Sequence, residues 1–99
     1  MFDLAAIEGF DWDEDNARNT DRQGVSTAEA EQVFFNAPLL VLPDREHTES
    51  EARIHTLGKT HDGRRLHLTF TSGRGGELIR VISARSMHRK ERLIYEQAS

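Results

Sequence analysis

Residues 66–71 read LHLTFT, and residues 78–84 read LIRVISA. In the first run apolar side chains alternate with polar ones, which predicts a strand with one buried face. The second run is rich in Ile and Val, which predicts a strand covered on both faces. A glycine-rich segment at residues 72–76 predicts the turn between them. These two strands are the predicted centre of an antiparallel sheet.

Two further strands are predicted before this pair. Residues 53–59 form one of them, and the Asp62-Gly63 dipeptide favours a tight hairpin leading into residues 66–71. The apolar run at residues 39–42 predicts a short buried strand, and the polar residues 45–51 predict a surface loop after it.

Two helices are predicted nearer the N-terminus. Asp13 is the expected N-cap of the first helix, and Gly24 is its expected stop. The second begins at a capping box formed by Ser26 and Glu29, and Pro38 marks where its apolar periodicity ends.

The two ends of the chain complete the predicted fold. Phe10 and Trp12 predict a short strand anchored in the core, after an arm at residues 1–9. A closing helix is predicted from Met87 to Gln97, capped by Ser86, with Leu93 and Ile94 as its apolar contacts. Helices segregated from strands predict an α+β fold with an antiparallel four-stranded sheet, a short N-terminal strand and a C-terminal helix. One domain is expected over residues 1–99.

Composition excludes several classes of protein. The chain has no cysteine, which excludes a disulfide framework, a thiolate metal site and a cysteine nucleophile. Its mean hydropathy is −0.65, no apolar run approaches 18 residues, and no signal pattern opens the chain. We therefore expect a cytoplasmic protein with no membrane partner.

Charge is divided between the two halves. Residues 1–52 contain thirteen Asp/Glu and three Lys/Arg, a net charge of −10, whereas residues 53–99 contain four Asp/Glu and ten Lys/Arg, a net charge of +6. A basic half attracts phosphate or an acidic protein. Chance clustering of solvated surface charge is the alternative.

Other catalytic chemistries have little support. The five histidines show no compact ligand spacing, so neither a metal site nor a cofactor is predicted. The glycines at residues 73–76 join strand to strand, which favours a hairpin turn over a phosphate loop. Ser72 and Ser83 lack a histidine–aspartate relay.

Several motifs, taken in order over residues 10–96, resemble those of the BrnT family of toxins. They are FDWDE at residues 10–14, Ala17, Asn19, GVS at residues 24–26, Glu29-Ala30, Val33-Phe34, Gly58, Gly63-Arg64, Leu66, TFT at residues 69–71, IRVISAR at residues 79–85, Arg89, Glu91-Arg92 and Tyr95. The resemblance implies a RelE/ParE-like fold and a ribonuclease that arrests translation. It also implies a ribbon-helix-helix antitoxin of the BrnA type, through which the complex would bind operator DNA.

Three positions depart from the family pattern. Asn16 stands where a lysine is usual, Arg22-Gln23 replaces lysine-histidine, and Phe70 replaces a frequent tyrosine. If the missing lysine or histidine assists catalysis, activity in this member is reduced or absent.

Metal-independent RNA cleavage needs a base, an acid and fixed positive charge beside the phosphate. Arginine suits the last task, because it stays charged and can bind two phosphate oxygens at once. Arg64 or Arg65, together with Arg80 and Arg85, is expected to converge on one face of the sheet. The alternative for each is an ordinary solvated arginine.

The proton-transfer group is open among four residues. Glu77 precedes the last strand, Tyr95 lies one helical turn beyond Glu91, and His67 and His88 carry imidazole, the side-chain group best matched to proton transfer at neutral pH. The last two, with Arg89 and Arg92, are also predicted RNA contacts.

Two functions are compatible with these residues. The first is an endonuclease that cleaves RNA, in particular messenger RNA, either free or on the ribosome. The second is a catalytically weak binding module that pairs with its antitoxin and co-regulates their operon. Asn16 and Gln23 favour the second modestly, whereas the arginines and Tyr95 favour the first.

Overall fold

The structure, a computed structural model, describes residues 8–42, 53–73 and 78–98. In these ranges the chain is a mixed α+β protein with three α-helices and a five-stranded sheet. The elements in chain order are β1 (Gly9–Asp11), α1 (Glu14–Arg22), α2 (Thr27–Gln32), a 3-10 turn (Val33–Phe35), β2 (Leu40–Leu42), β3 (Ile54–Lys59), β4 (Arg65–Gly73), β5 (Leu78–Ser86) and α3 (Arg89–Ala98). The α+β prediction is confirmed. The predicted loop at residues 45–51 and most of the predicted arm and glycine turn lie outside the described residues.

The predicted starts of both N-terminal helices and the stop of the first are confirmed, whereas the second ends earlier than its predicted limit at Pro38, because α2 gives way to a 3-10 turn after Gln32. The Asp13 side chain accepts the backbone N–H of Asp15 at 2.8 Å and so caps α1. Ser26 and Glu29 form the reciprocal capping box at the start of α2, each contact being 3.0 Å. Gly24 has a φ of +79°, which only glycine adopts without strain, so the chain can turn sharply between the helices.

The sheet has the strand order β1-β5-β4-β3-β2. Strands β2 to β5 pair antiparallel, whereas β1 pairs parallel with β5, with Phe10 opposite Ile79. The first strand therefore pairs with the last, and the two are far apart in sequence. The meander brings the basic half of the chain into the middle of the sheet.

One face of the sheet packs against α1, α2 and the 3-10 turn and forms the main core. Phe34 meets Phe70 edge to face, with ring centroids 5.0 Å apart, and Phe10 packs on Phe34 at 5.5 Å. The buried apolar residues of this core are Val25, Ala30, Val33, Phe34, Leu66, Leu68, Phe70, Ile79, Val81 and Ala84. Each large side chain contributes roughly 1.5–3 kcal/mol on burial. Anchoring of the first strand through Phe10 is confirmed.

The opposite face of the sheet is covered by α3 at one end only. Tyr95, Met87 and Leu57 form a second, smaller core there, which β2 completes with two leucines. The predicted contacts Leu93 and Ile94 were wrong: they are 53% and 45% exposed, because the helix faces the sheet with Tyr95 instead.

The predicted cap of this closing helix was also wrong. Ser86 is the last residue of β5, and its hydroxyl accepts a hydrogen bond from Arg64. The carbonyl of His88 accepts the N–H of Arg92, and the Glu91 carboxylate accepts the N–H of His88. These contacts start the helix two residues later than predicted, and Met87 becomes a buried linker.

Candidate functional site

The face of the sheet opposite α1 and α2 carries a continuous row of polar side chains beyond the end of α3. We call it the polar face. It is defined by Arg65, His67, Thr69 and Thr71 on β4, His55 on β3, and Arg80, Ser83 and Arg85 on β5. The strand register sets these residues side by side: His67 lies opposite Arg85, Thr69 lies between His55 and Ser83, and Thr71 lies opposite Arg80.

A β-bulge in β5 places two of the arginines on the same face. Arg80 and Arg85 are five residues apart, so regular alternation would point them to opposite sides of the sheet. The register shifts between Thr69 and Phe70, whose partners are Ser83 and Val81, and Ile82 is the extra residue. Because of this insertion, Arg80 and Arg85 both lie on the polar face.

Glu91 of α3 holds Arg85 in a bidentate ion pair. Nη1 and Nη2 of Arg85 donate to the two carboxylate oxygens at 2.8 and 3.0 Å, and the backbone N–H of His88 adds a third hydrogen bond at 2.8 Å. Both side chains are largely buried, with exposed fractions of 29% and 18%. Burial opposes ionisation of Glu91, but the hydrogen bonds outweigh it and lower its pKa to about 2.

The pair leaves one side of the Arg85 guanidinium unused. The second N–H of Nη1 donates a hydrogen bond to the carbonyl of Ser86 at 3.2 Å. Within the described residues, neither the Nε–H nor the second Nη2–H of Arg85 donates to any acceptor. These two donors lie along the same edge of the planar group, which is the geometry that binds two oxygens of a phosphate.

The other two arginines of the polar face also meet carboxylates. Arg80 donates through Nε and Nη2 to one oxygen of Asp11 on the neighbouring β1, the shorter contact being 2.8 Å. Arg65 pairs with Glu96 near the end of α3. Both pairs are more exposed than the Arg85 pair, so water screens them more strongly.

The structure does not bring Arg64 to the polar face. Its guanidinium donates to the carbonyl of Gly24 at 2.7 Å and to the Glu29 carboxylate, on the helix side of the sheet. The pKa of Glu29 is lowered chiefly by the hydrogen bond that its carboxylate accepts from the backbone N–H of Ser26, and further by Arg64. Arg64 therefore ties β4 to the turn between α1 and α2, and of the alternatives Arg64 and Arg65 only the second reaches the polar face.

Tyr95 lies in the second core between α3 and the sheet. It is 2% exposed, and its hydroxyl donates to the carbonyl of Pro38 at 2.7 Å. Burial raises the pKa of Tyr95, which makes its proton harder to remove. The hydroxyl therefore joins α3 to the segment before β2, and the geometry favours a structural role.

The remaining predicted residues lie at the start of α3 or outside the described residues. His88 and Arg89 are exposed at the start of the helix, and Arg92 donates to the carbonyl of Met87 at 3.1 Å. Glu77 lies outside the described residues.

A histidine pair occupies the middle of the polar face. The rings of His55 and His67 have centroids 5.5 Å apart and are tilted by 37°. Nδ1 of His55 lies 3.0 Å from the hydroxyl of Thr69. Burial, assisted by the charge of Arg85, lowers the pKa of His67, so its ring is neutral at pH 7.

Sequence reasoning missed Glu91 as the partner of Arg85 and missed His55 as a member of the site. The available signal for His55 was its place, two residues before Leu57, on a predicted strand. Without the register of β3 against β4, the alternation could not show which face the histidine would share with His67. For Glu91, the signal was weaker still, since the contact depends on where α3 starts.

The described part of the chain contains neither a grouped metal site nor a membrane-spanning helix. In residues 8–42, 53–73 and 78–98 no three His, Asp or Glu side chains are grouped as a metal site would require. In the same ranges no helix is long and apolar enough to cross a membrane.

Fold and site together define a class: a small α+β protein that presents arginines on the sheet face opposite its two N-terminal helices. The model of a family described as "Ribonuclease toxin, BrnT, of type II toxin-antitoxin system" matches residues 12–91. The chain belongs to this BrnT family, which supplies the ribonuclease toxin of a type II toxin–antitoxin pair, with RNA as substrate and an antitoxin as partner.

A solved structure shows the same fold. The crystal structure of the ribonuclease toxin BrnT from Brucella abortus matches with a TM-score of 0.59 at 24% sequence identity. The match covers 82% of this chain and 97% of the Brucella chain. No curated protein matches this chain in sequence.

Proposed function

We propose that this chain is a metal-independent endoribonuclease that cleaves messenger RNA and thereby inhibits translation. In the proposed reaction the ribose 2′-oxygen attacks the adjacent phosphorus and the bond to the 5′-oxygen breaks. The products are a 2′,3′-cyclic phosphate and a 5′-hydroxyl. The phosphate gains negative charge in the transition state, so fixed cations beside it lower the barrier.

The observation that carries the proposal is the unused edge of Arg85. Glu91 fixes the guanidinium from one side, and the Nε–H and the remaining Nη2–H face away from that carboxylate. A phosphate oxygen pair can bind there without breaking the ion pair. Because Glu91 already restricts the side chain, little conformational freedom is lost when the phosphate binds.

Arg65 and Arg80 extend the site along the sheet. Arg80 lies opposite Thr71 and Arg85 opposite His67, so the two arginines are separated by about 13 Å along the strands, at about 3.3 Å for each residue. Arg65 lies two residues beyond His67 on β4. Arg65 and Arg80 lie at the two ends of this row, and each is paired with an exposed carboxylate. Neighbouring phosphates of one RNA strand can replace these carboxylates, because exposed ion pairs are weak.

We also propose how the chain is organised and controlled. Residues 1–99 form one RelE/ParE-like domain, supported by helices on one sheet face, a β2–β5 meander and the C-terminal α3. A ribbon-helix-helix antitoxin covers the arginine-bearing face in the cytoplasm and contacts operator DNA on behalf of the pair. Acidic groups from that antitoxin would occupy the phosphate positions and block RNA binding.

One observation favours a second candidate, the catalytically weak binding module. Arg65, Arg80 and Arg85 each face a carboxylate, so the polar face carries little net positive charge. Electrostatic attraction for RNA is correspondingly reduced. In this case the chain would bind its antitoxin and tune operator binding without cutting RNA.

The test uses purified, antitoxin-free protein incubated with a messenger RNA in EDTA. We expect cleavage to survive chelation and Arg85→Gln to slow it about 10²–10³-fold, the usual effect of losing one preorganised donor at an oxyanion. Arg85→Lys keeps the charge but loses the paired donors, so it should recover only part of the rate. The matched control is Arg18→Gln on α1, an arginine that is also paired with carboxylates but lies far from the polar face.

The outcomes separate the two functions. Cutting that stops in EDTA would overturn metal independence. No cutting by the wild type, with antitoxin binding intact, would replace the enzyme with the binding module. Addition of each variant to a cell-free translation reaction tests the downstream effect, and Arg85→Gln should leave protein synthesis running. Thermal melting of each variant shows whether it is folded.

A further inference from the structure

The His55–His67 pair lies beside the arginine that the proposed function uses. On the polar face, the rung of paired residues containing His55, Thr69 and Ser83 adjoins the rung containing Leu57, His67 and Arg85. A phosphate held on the unused edge of Arg85 would therefore have imidazole groups as neighbours. Imidazole is the side chain best matched to moving protons at neutral pH.

Thr69 holds the His55 ring in a way that survives a change of protonation. Nδ1 of His55 lies 3.0 Å from the Thr69 hydroxyl. In the tautomer that carries its hydrogen on Nδ1, this N–H donates to the hydroxyl and the opposite ring nitrogen, Nε2, keeps a lone pair. If Nε2 takes up a proton, Nδ1 still carries its hydrogen and the contact to Thr69 is unchanged. The ring can gain and lose a proton without turning.

Burial decides which of the two histidines can reach a substrate. His67 is 8% exposed, and its Nδ1 is buried with no hydrogen-bond partner among the described residues. His55 is half-buried and so the more exposed of the two rings. His67 is therefore suited to supporting the His55 ring, and His55 is suited to contacting RNA.

The charges around the pair come from two other elements. Arg85 of β5 and Glu91 of α3 act on His67 together with His55, whereas β2 contributes only the apolar Leu42 opposite His55. The arginine and the glutamate are paired with each other, and their charges act on the pKa of His67 in opposite directions.

We propose that His55 is the general base of the RNA cleavage described above, and that Thr69 is the positioning residue that orients it. This inference rests on the proposed function. The proton of the ribose 2′-hydroxyl moves to Nε2 of His55 while the 2′-oxygen bonds to phosphorus. The phosphorus–O5′ bond breaks, its electron pair stays on the 5′-oxygen, and that oxygen takes a proton from water. His55 then returns its proton to solvent.

The experiment compares single-turnover RNA cleavage by the wild type and matched histidine variants over pH 5–9. We expect His55→Gln to slow cleavage about 10²–10⁴-fold and to remove the rise of rate with pH through the histidine range. The control is His61→Gln, which replaces an exposed histidine of the β3–β4 hairpin and should keep the wild-type rate and profile. Thermal melting and RNA affinity should change little in either variant.

Two more measurements separate catalysis from structure. His55→Ala should regain part of its rate when free imidazole is added, whereas imidazole should not affect the wild type. Thr69→Val should slow cleavage roughly 10- to 100-fold through loss of ring orientation, and Thr69→Ser, which restores the hydroxyl, should return close to the wild-type rate.

The results distinguish the role of His55 from the proposed ribonuclease activity on which it rests. If the wild type cuts RNA and His55→Gln cuts at a similar rate with the same pH profile, His55 is not the base and the nuclease remains. If His55→Gln is slow but imidazole does not rescue His55→Ala and the pH profile is unchanged, the residue is structural and the inference fails. If the wild type does not cut RNA, the proposed function fails and the inference fails with it.

Discussion

Replacing Glu91 with glutamine tests the ion pair on which the proposed phosphate site depends. The carboxylate accepts three hydrogen bonds, two from Arg85 and one from the backbone of His88. They lower its pKa from 4.5 to about 2. Since each pKa unit corresponds to about 1.4 kcal/mol, ionised Glu91 stabilises the folded protein by about 3 kcal/mol at pH 7. Glutamine retains one acceptor oxygen, so we expect a loss of about 2–3 kcal/mol.

The effect has a defined pH dependence. The pKa of Glu91 is lower in the folded protein than in the unfolded chain, so its contribution is fully present above pH 4.5 and is lost as the pH falls through about 2. At pH 3 the folded protein keeps Glu91 mostly ionised while the unfolded chain is mostly protonated. The difference between wild type and Glu91→Gln should then shrink to about 1 kcal/mol.

Urea unfolding at pH 7 and pH 3, followed by the fluorescence of Trp12, measures both differences. Trp12 is the single tryptophan, and its indole N–H donates to Glu31 at 2.8 Å in the folded state, so its environment changes on unfolding. The matched control is Glu96→Gln on the same helix, whose exposed pair with Arg65 should contribute less than about 1 kcal/mol. A loss at pH 7 no larger than that of the control, or an equal loss at the two pH values, would refute the reasoning.

Three other predictions concern the rest of the fold. Gly58→Ala should lower the stability by about 1–3 kcal/mol, because the added Cβ would lie 2.3 Å from a methyl group of Val33; Gly9→Ala, whose Cβ would meet its nearest neighbour at 3.7 Å, is the control in the same melting experiment. Tyr95→Phe should lose about 1 kcal/mol of stability in urea unfolding, the value of one buried hydrogen bond, and should cleave RNA at the wild-type rate. A large fall in rate at unchanged stability would instead indicate a catalytic role for the tyrosine. The pKa of His67 is lowered in the folded protein, so folding disfavours its protonated form and stability decreases as the pH falls below 6.5. His67→Gln should therefore lose less stability than the wild type between pH 7 and pH 5. Equal losses in the two proteins would contradict this.

Most of the fold could be predicted because its signals are local. Capping residues at Asp13, Ser26 and Glu29 define helix starts by their own hydrogen bonds, and the alternating run at residues 66–71 defines a strand with one apolar face. The end of the chain was harder. Leu93 and Ile94 look like the buried stripe of a short helix, but α3 meets the sheet through Tyr95, whose partner carbonyl is distant in sequence, and through the ion pairs of Glu91 and Glu96.

The candidate site could be predicted only in part, because its geometry depends on contacts between distant segments. The sequence indicates which arginines are available, but counting along β5 would place Arg80 and Arg85 on opposite faces. Only the bulge at Ile82 reverses that result, and no residue type in the run marks a bulge. Alternation with Leu66 is enough to separate Arg65 from Arg64, but the contacts of Arg64 with Gly24 and Glu29 join segments that are distant in sequence.

Glu91 connects the stability of the fold to the chemistry proposed for it. Its carboxylate fixes the first turn of α3 through His88 and fixes Arg85 through the same two oxygens. The pair therefore adds to the Tyr95 contact in holding α3 on the sheet, and it sets the direction in which the unused edge of Arg85 points. A buried carboxylate with a single partner would be costly, but three hydrogen bonds compensate its desolvation. The same residue that would reduce phosphate binding by neutralising charge thus improves it by fixing geometry.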